Sequence, residues 1–366
     1  MLTKAALALA LIHFTTPLAY YTYLKTTWLN KPWNINRDPN YKPKVTVIVP
    51  TYNEAKFIEK KLDDIYSQDY PRNLVDIIVI DSASTDGTPE LVKKWHSEHK
   101  DANLKLVVEP ERRGKLYAIL EALKHVHVES DIVVFTDADA FWEPRALNKA
   151  VAYFADPTVG AVTASITYTD NNTRENIYRS YYNKVRICES KIYSTPAQNG
   201  PFQAFRAELI WKYGLPDFPG SDDSSFGSYI AFTGYRAIQV DDVSVKEPVR
   251  GSEFRRKIRR AQHLILNFLK TRNYAKRKGA YKYVKQFEKI WWIEWWLHIV
   301  NPWLLLISIL LVIVATYKGL LTSTVVLIFG IALLIFKPYR VWIMQQIYLL
   351  LASLRNILTK EVTWER

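Results

Sequence analysis

A chain of 366 residues with one cysteine, Cys188, cannot build an internal disulfide framework. Nothing near Cys188 supplies an activating histidine, so a small buried hydrophobe is the simpler account of it. No Gly-x-x-x-x-Gly-Lys-Ser/Thr stretch occurs, and no Gly-x-Gly-x-x-Gly follows an apolar strand. Phosphates are therefore not cradled as in a P-loop enzyme or a classical dehydrogenase. Acids are nearly missing from one segment: between Arg250 and Lys285 there are 13 Lys and Arg against a single Glu253. The whole chain carries a formal charge of +13, so nearly all the excess lies there. Such a patch attracts phosphates or an anionic membrane face. A 49% hydrophobic content excludes a disordered chain, and the length suits one large domain with extra elements, or two domains.

What is present begins with long apolar runs. "LTKAALALALIHFTTPLAYYTYL" (Leu2–Leu24) holds one charge, Lys4, and is long enough to cross a bilayer core of ~30 Å. Tyr20, Tyr21 and Tyr23 follow it where a signal peptide would place a small-residue cleavage site, so residues 1–24 read as an anchor. "WLLLISILLVIVATY" (Trp303–Tyr317) and "LLTSTVVLIFGIALLIF" (Leu320–Phe336) are separated by Lys318 and Gly319 only, the pattern of a membrane hairpin over 299–337. The tryptophans of "WWIEWWLHIVNPW" precede it, as at a headgroup interface. Residues 338–366 suit an interfacial helix or a further span. Lys and Arg flank the anchor and the hairpin on one side, which places the region between them in the cytoplasm of a multi-pass cell-membrane protein.

Within that region, "KVTVIVPTYNE", "VDIIVIDSASTDGT", "LKLVVEP" and "DIVVFTDADA" are short β-branched strands that end at turn residues, with helical patterns between them. This predicts an α/β domain over 36–249 with a mostly parallel central sheet. Ligands bind such sheets beyond the carboxyl ends of the strands, and Glu54, Asp81, Asp86, Asp137 and Asp139 fall at those ends. Several carboxylates at one crevice repel one another unless a cation compensates. Asp137-x-Asp139 offers oxygens to Mg²⁺ or Mn²⁺, which binds through one or two carboxylates and the substrate's phosphates. Taken alone, an Asp-x-Asp pair is more often a solvated turn. "ERRGK" (Glu111–Lys115) supplies cations to a pyrophosphate or simply starts the next helix.

"VIVPTYNE", "VIDSASTDGT", "RRGK" and "FTDADA", in that order, resemble the family 2 glycosyltransferases with their GT-A fold, over about Lys44 to Val245. "NGPFQAFR" and "PGSDDSSFGSYIAFTGYRAIQVDD" continue the likeness. By position, the resemblance implies that Pro50, Thr51, Tyr52 and Glu54 line the nucleotide's base and ribose, with Asp81 facing the base. Gly114 and Lys115 would lie on the nucleotide side, Asp137 on the ribose or metal, and Asp139 on the metal at the diphosphate. Asp223 would be the general base with Asp222 beside it; the alternative for this pair is helix capping ahead of "SSFGSYIAF". The chain departs from the pattern twice. Ser82 stands where many members carry a second Asp, and no Gln-x-x-Arg-Trp follows the acidic block. Arg259, Arg260 and Gln262 would take over its diphosphate-binding role.

The expected protein is thus a membrane-bound, metal-dependent inverting glycosyltransferase. It would move a sugar from a UDP- or GDP-sugar to a membrane-associated glycan. A polyprenyl-phosphate acceptor is the alternative, favoured by the missing Gln-x-x-Arg-Trp, and an inactive membrane scaffold is the non-enzyme reading. Phe254, Ile258, Ala261, Ile265 and Phe268 recur at helical spacing among arginines, so residues 250–298 read as basic and aromatic helices on the bilayer surface, with nucleic acid excluded as a partner.

Overall fold

The sequence Val45–Thr51 is apolar on both faces of its pleat, and it becomes the middle of an eight-stranded sheet. In chain order the elements of the computed structural model are α1 (Leu2–Thr27), β1 (Val45–Thr51), α2 (Ile58–Tyr66), β2 (Val75–Asp81), α3 (Thr88–Glu98), β3 (Asn103–Val108), α4 (Lys115–Leu123), β4 (Ile132–Phe135), β5 (Phe141–Trp142), α5 (Ala146–Val151) and β6 (Val159–Tyr168). They continue with α6 (Arg174–Ile192), β7 (Gln203–Arg206), α7 (Ala207–Tyr213), α8 (Asp223–Phe232), β8 (Arg236–Glu247), α9 (Glu253–Arg277), α10 (Lys285–Trp295), α11 (Asn301–Tyr317), α12 (Leu321–Ala332) and α13 (Lys337–Leu358). The structure describes residues 1–168, 174–248 and 253–358; residues 249–252, at the start of the expected basic segment, and 359–366, at the end of the expected C-terminal one, lie outside these.

The strand order is β3-β2-β1-β4-β7-β6-β8-β5. Strands β3, β2, β1 and β4 run parallel, β7 is antiparallel to β4 and β6, and β6 is parallel to β8. The chain leaves β1 toward β2 on one side and returns to β4 on the other. That reversal opens a crevice at the carboxyl ends of β1 and β4, the place where open α/β sheets bind ligands. Apolar side chains fill both faces: Val45, Val47, Val49 and Val134 on one, Ile48, Ile78, Ile80 and Phe135 on the other. The loops after β1 and β2 are tied together. Asn53, at a φ of +54° that asparagine tolerates, accepts the Thr85 N–H at 2.9 Å, and its own N–H donates to Ser84 Oγ at 2.8 Å.

Three helices are long and apolar enough to cross a membrane: α1, the continuous run Lys285–Tyr317, and α13. In that run a π-helical turn, Trp296–Val300, joins α10 to α11. The second arm of the expected hairpin is shorter. α12 and the 3₁₀ turn after it end at Ile335, roughly 22 Å of helix against a ~30 Å bilayer core. α13 has the length that α12 lacks. His13, buried in α1, joins three of these helices: Nδ1 donates to the Asn301 carbonyl at 2.9 Å, and Trp342 Nε1 donates to Nε2 at 3.0 Å.

The expected apolar stripe of the basic segment meets protein over most of its length, while Phe254 at its start stays half exposed. The apolar face of α9 is covered by protein: Ile258, Ala261 and Ile265 pack on Tyr348, Leu349 and Ala352 of α13, and Phe268 lies against Trp291. Trp291 itself is buried among Phe232, Phe268 and Phe287 rather than at an interface. Arg272 is held by Glu288 at 2.9 Å. An amphipathic pattern fixes that one face is covered, but it does not say by what.

Candidate active site

Strand β4 sets the first pair of carboxylates. Beyond Phe135 exposure alternates: Ala138 and Ala140 are buried, Asp137 and Asp139 are partly exposed, and Asp137 is the one of the pair that lines the cavity described below. Gly114, at φ +103°, swings the chain out of the Arg112–Arg113 stretch into α4, so that Lys115 opens this helix. Lys115 Nζ then lies 2.6 Å from Asp137 Oδ1 and 3.6 Å from Asp223 Oδ1. One ammonium therefore bridges the end of β4 to the start of α8. Burial works to raise the Asp137 carboxyl, but the charge and hydrogen bond of Lys115, with Arg260 and Lys61 behind it, hold it below the ordinary carboxylate value. Burial opposes the charge on Lys115, yet Asp137 and Asp223 outweigh it and raise this ammonium above its usual value.

The two acids of the second pair take separate jobs. Asp222 is the N-cap of α8: its Oδ1 accepts the Ser224 N–H at 3.2 Å, and its Oδ2 lies 3.1 Å from His263 Nδ1. Asp223 stands in the first helical turn and faces Lys115 and Gly200. A Cβ built on Gly200 would sit 2.0 Å from Asp223 Oδ2, so only glycine leaves room for this carboxylate. Burial pushes the Asp223 carboxyl up to about 6; Lys115 pulls it down, and Asp222 and Asp137 push it further up. A half-buried carboxylate raised toward neutrality is suited to taking a proton.

These groups share one cavity of about 460 Å³. Gly114, Lys115, Asp137, Asp222, Asp223 and His263 all line it. Arg179 and Arg186 from α6, Lys257, Arg259 and Arg260 from α9, and Gln345, Tyr348 and Leu349 from α13 complete it. Burial, with Arg260, Arg256 and Arg112 nearby, brings the Arg259 guanidinium down to about 10.

Several expected residues fall elsewhere. Gln262 is not at the cavity: it is buried against α13, where its Nε2 donates to Asn356 Oδ1 at 3.1 Å and its carbonyl accepts from Asn356 Nδ2 at 3.2 Å. Two positions past Arg260, it is turned away from that residue's side of the helix, and Asn356 holds it there. Asp81 does not face an open base site. It is fully buried, with Oδ1 accepting from Thr51 Oγ1 at 3.0 Å and Oδ2 from the Ser84 N–H at 2.8 Å, so it organises the turn after β2. Thr51 is buried with it, whereas Pro50, Tyr52 and Glu54 stay partly exposed at the end of β1. The Arg112 guanidinium stacks 4.0 Å from the centroid of the Tyr52 ring. Sequence reasoning did not single out His263, Gly200, Arg179 or Arg186. Spacing held a signal for some: His263 follows Arg259 by one helical turn, and Arg186 follows Arg179 by two.

Two carboxylates are all the protein offers at the end of β4, and among the described residues no group of three His, Cys, Asp or Glu side chains is placed to hold a metal ion. This suits a Mg²⁺ or Mn²⁺ that takes its other ligands from a bound diphosphate and water, and not a site closed by protein alone.

A family model for glycosyl transferase family 2 matches residues 46–214, and one for glycosyl transferase family group 2 matches residues 132–339, more than half of the chain. The chain belongs to the family 2 glycosyltransferases. This transferase is similar along its whole length to a solved structure, the mannosyltransferase PcManGT from Pyrobaculum calidifontis in complex with GDP-Man and Mn²⁺. Identity is 44%, the TM-score is 0.89, and the match covers 99% of this chain and 100% of that one. Two curated relatives are shorter matches. The dolichyl N-acetyl-α-D-glucosaminyl phosphate 3-β-D-2,3-diacetamido-2,3-dideoxy-β-D-glucuronosyltransferase of Methanococcus voltae is 28% identical over 161 residues, 43% of this chain and 46% of that protein. The glycosyltransferase AglE of Haloferax volcanii is 30% identical over 146 residues, 38% of this chain and 46% of that protein. The chain thus spans about half the length of these curated relatives. The mostly parallel mixed sheet and its crevice are those of the family's GT-A fold.

Proposed function

We propose that this protein is a membrane-bound, metal-dependent inverting glycosyltransferase that moves a sugar from a GDP-sugar to a membrane-associated acceptor. One observation carries the reading: Asp137 and Asp223 face each other in a single cavity across one ammonium, Lys115, and that cavity runs on to the wall formed by α13. The end-to-end likeness to a GDP-Man- and Mn²⁺-bound mannosyltransferase supports guanine over uracil and makes mannose the first sugar to test.

In this reading Asp139 and Asp137 hold the divalent ion. When bound, that ion neutralises the diphosphate and stabilises it as the leaving group. Lys115 carries its charge beside the diphosphate, and Arg259 and Arg260 close on the released nucleotide from α9. Asp223 takes the acceptor hydroxyl's proton as the new glycosidic bond forms. In this reading the acceptor attacks the anomeric carbon from the face away from the leaving diphosphate, so a single displacement inverts it. Pro50, Tyr52 and Glu54 line the base and ribose side.

A second acceptor is favoured by a specific feature. Arg179, Arg186 and Lys257 add three cations to the cavity wall beside α13, which suits an acceptor that is itself anionic, such as a polyprenyl phosphate. Such an acceptor arrives already ionised and does not need a base. The two are separated by incubating the full-length enzyme with labelled GDP-mannose, Mn²⁺ and a membrane lipid extract. A β-linked product stable to mild acid supports the glycan acceptor, and an acid-labile glycosyl phosphate supports the lipid phosphate. An α-linked product contradicts inversion, and undiminished transfer in EDTA contradicts metal dependence.

A further inference from the structure

A fully buried ammonium lies behind the loop that carries Asp137 and Asp139. Lys61 is on α2, the helix that follows the loop after β1, and its side chain has no exposure to solvent. Its Nζ donates to the Ala140 carbonyl at 2.7 Å and to Asp64 Oδ2 at 2.9 Å, and it stands 4.0 Å from the centroid of the Trp142 ring. Asp64, one turn further along α2, accepts the Trp142 N–H on both carboxylate oxygens at 3.1 Å. One face of α2 thus grips the main chain on both sides of Phe141.

The other grip comes from the acceptor side. The Pro201 carbonyl accepts from Thr136 Oγ1 at 2.8 Å and from Trp142 Nε1 at 3.2 Å. Residues 136–142, with both carboxylates among them, are therefore fastened at each end, and Lys61 holds the residue next to Asp139. Burying an ammonium costs several kcal/mol, and a neutral side chain of the same length would fill this volume without that cost. Retaining the charge makes sense where it is used. Here it fixes a carbonyl beside a pair of like charges and offsets part of their repulsion.

We infer that Lys61, seated on Asp64, is a positioning residue that holds the 136–142 loop so that Asp137 and Asp139 meet a divalent cation without rearrangement. The inference rests on the reading of those two aspartates as the metal side of the site. Lys61 touches neither carboxylate and acts through the Ala140 main chain.

The test uses the full-length protein in detergent, with Mn²⁺ and GDP as probes. Lys61→Met leaves Asp64 without its cation, so the Lys61→Met/Asp64→Asn double variant is made beside it to keep the interior neutral. Mn²⁺ affinity is read from free Mn²⁺ by electron paramagnetic resonance with GDP present. The mobility of the loop is read by hydrogen exchange of residues 136–142 in the metal-free protein. The proposal expects Mn²⁺ affinity to fall roughly tenfold to a hundredfold, as for lost partners of metal ligands. It also expects faster exchange confined to that loop, and turnover that recovers at saturating Mn²⁺. Lys61→Gln, which keeps a donor for the Ala140 carbonyl, restores part of both readouts. A folded double variant with Mn²⁺ affinity within twofold of the wild type and unchanged loop exchange overturns the role of Lys61. If the double variant does not fold, Lys61→Gln decides: wild-type Mn²⁺ affinity and loop exchange support the carbonyl grip, and loss of both equal to that of Lys61→Met overturns it. Wild-type protein that binds no Mn²⁺ with GDP overturns the metal reading itself, and the proposal with it.

Discussion

The two halves of the sheet are built by different means. On the donor side, β3, β2, β1 and β4 are parallel strands whose buried side chains are mostly valine and isoleucine, with Thr46, Thr51, Asp76 and Asp81 at isolated positions among them. On the acceptor side, apolar side chains such as Val162, Phe205 and Ile238 share the interior with a buried polar network. Thr163, Asn199, Gln203 and Gln239 are all buried, and they hold one another: Asn199 Nδ2 donates to Gln239 Oε1 at 3.0 Å, and Gln203 Nε2 donates to the Asp223 carbonyl at 2.7 Å. Apolar packing tolerates small shifts, whereas a buried polar network fixes atoms one by one and is costly when partly broken. The donor half therefore presents a crevice for a common ligand, and the acceptor half fixes a single carboxylate, Asp223, against a loop with no spare volume at Gly200.

The largest effect that sharpens this contrast belongs to Gly200→Ala. The new methyl group cannot share space with the Asp223 carboxylate, so turnover is expected to fall about a hundredfold, the lower range for losing a general base. Nucleotide binding with Mn²⁺, measured by calorimetry, should stay within about twofold of the wild type by the same argument. A parallel loss of binding would mean that the two halves are not separable. An intermediate effect concerns pH. The Asp223 carboxyl is raised to about 6 by burial, so turnover should fall about tenfold per pH unit below that value as the base is protonated. Lys115→Met removes the cation that pulls the value down, and the acid limb should move upward. A group raised in the folded state also binds protons there that the unfolded chain, near 3.9, has released. Wild-type stability should therefore fall relative to Asp223→Asn as pH rises from about 4 to about 6. Denaturant melts of both proteins across that range check the sign. The smallest effect is that of Asp222→Ala, which removes the cap of α8 and should cost about 1 kcal/mol of stability. Its turnover should suffer far less than that of Asp223→Asn, and equal losses would undo the division of the pair.

The same contrast explains how much was legible. Strands β1 to β4, the alternation with helices and the placement of Asp137 and Asp139 at a strand end follow from local periodicity, which a sequence displays. The apolar runs that become α1 and α11 are equally plain, whereas the stretch that becomes α13 reads as either an interfacial helix or a further span. Asp81 looked like its neighbours at the strand ends, but it is sealed by Thr51 and Ser84, thirty and three residues away, and burial of that kind leaves no periodic trace. Gln262 falls outside the cavity because linear proximity to Arg260 does not set the same helix face. The covering of α9 by α13 joins segments about ninety residues apart, as in the Gln262–Asn356 pair, and an amphipathic stripe names no partner. Gly200 and His263 acquire their meaning only from a side chain brought to them by the fold.

The most direct test of the division between donor and acceptor walls is a paired measurement on Asp223→Asn in the full-length enzyme: calorimetric binding of GDP-mannose with Mn²⁺, and transfer of labelled mannose under the same conditions. With the donor held at the ends of β1 and β4 and the base alone on α8, affinity should stay within about twofold of the wild type while transfer drops by roughly 10² to 10⁴. Donor affinity that falls together with transfer, or transfer that survives with affinity intact, would contradict it.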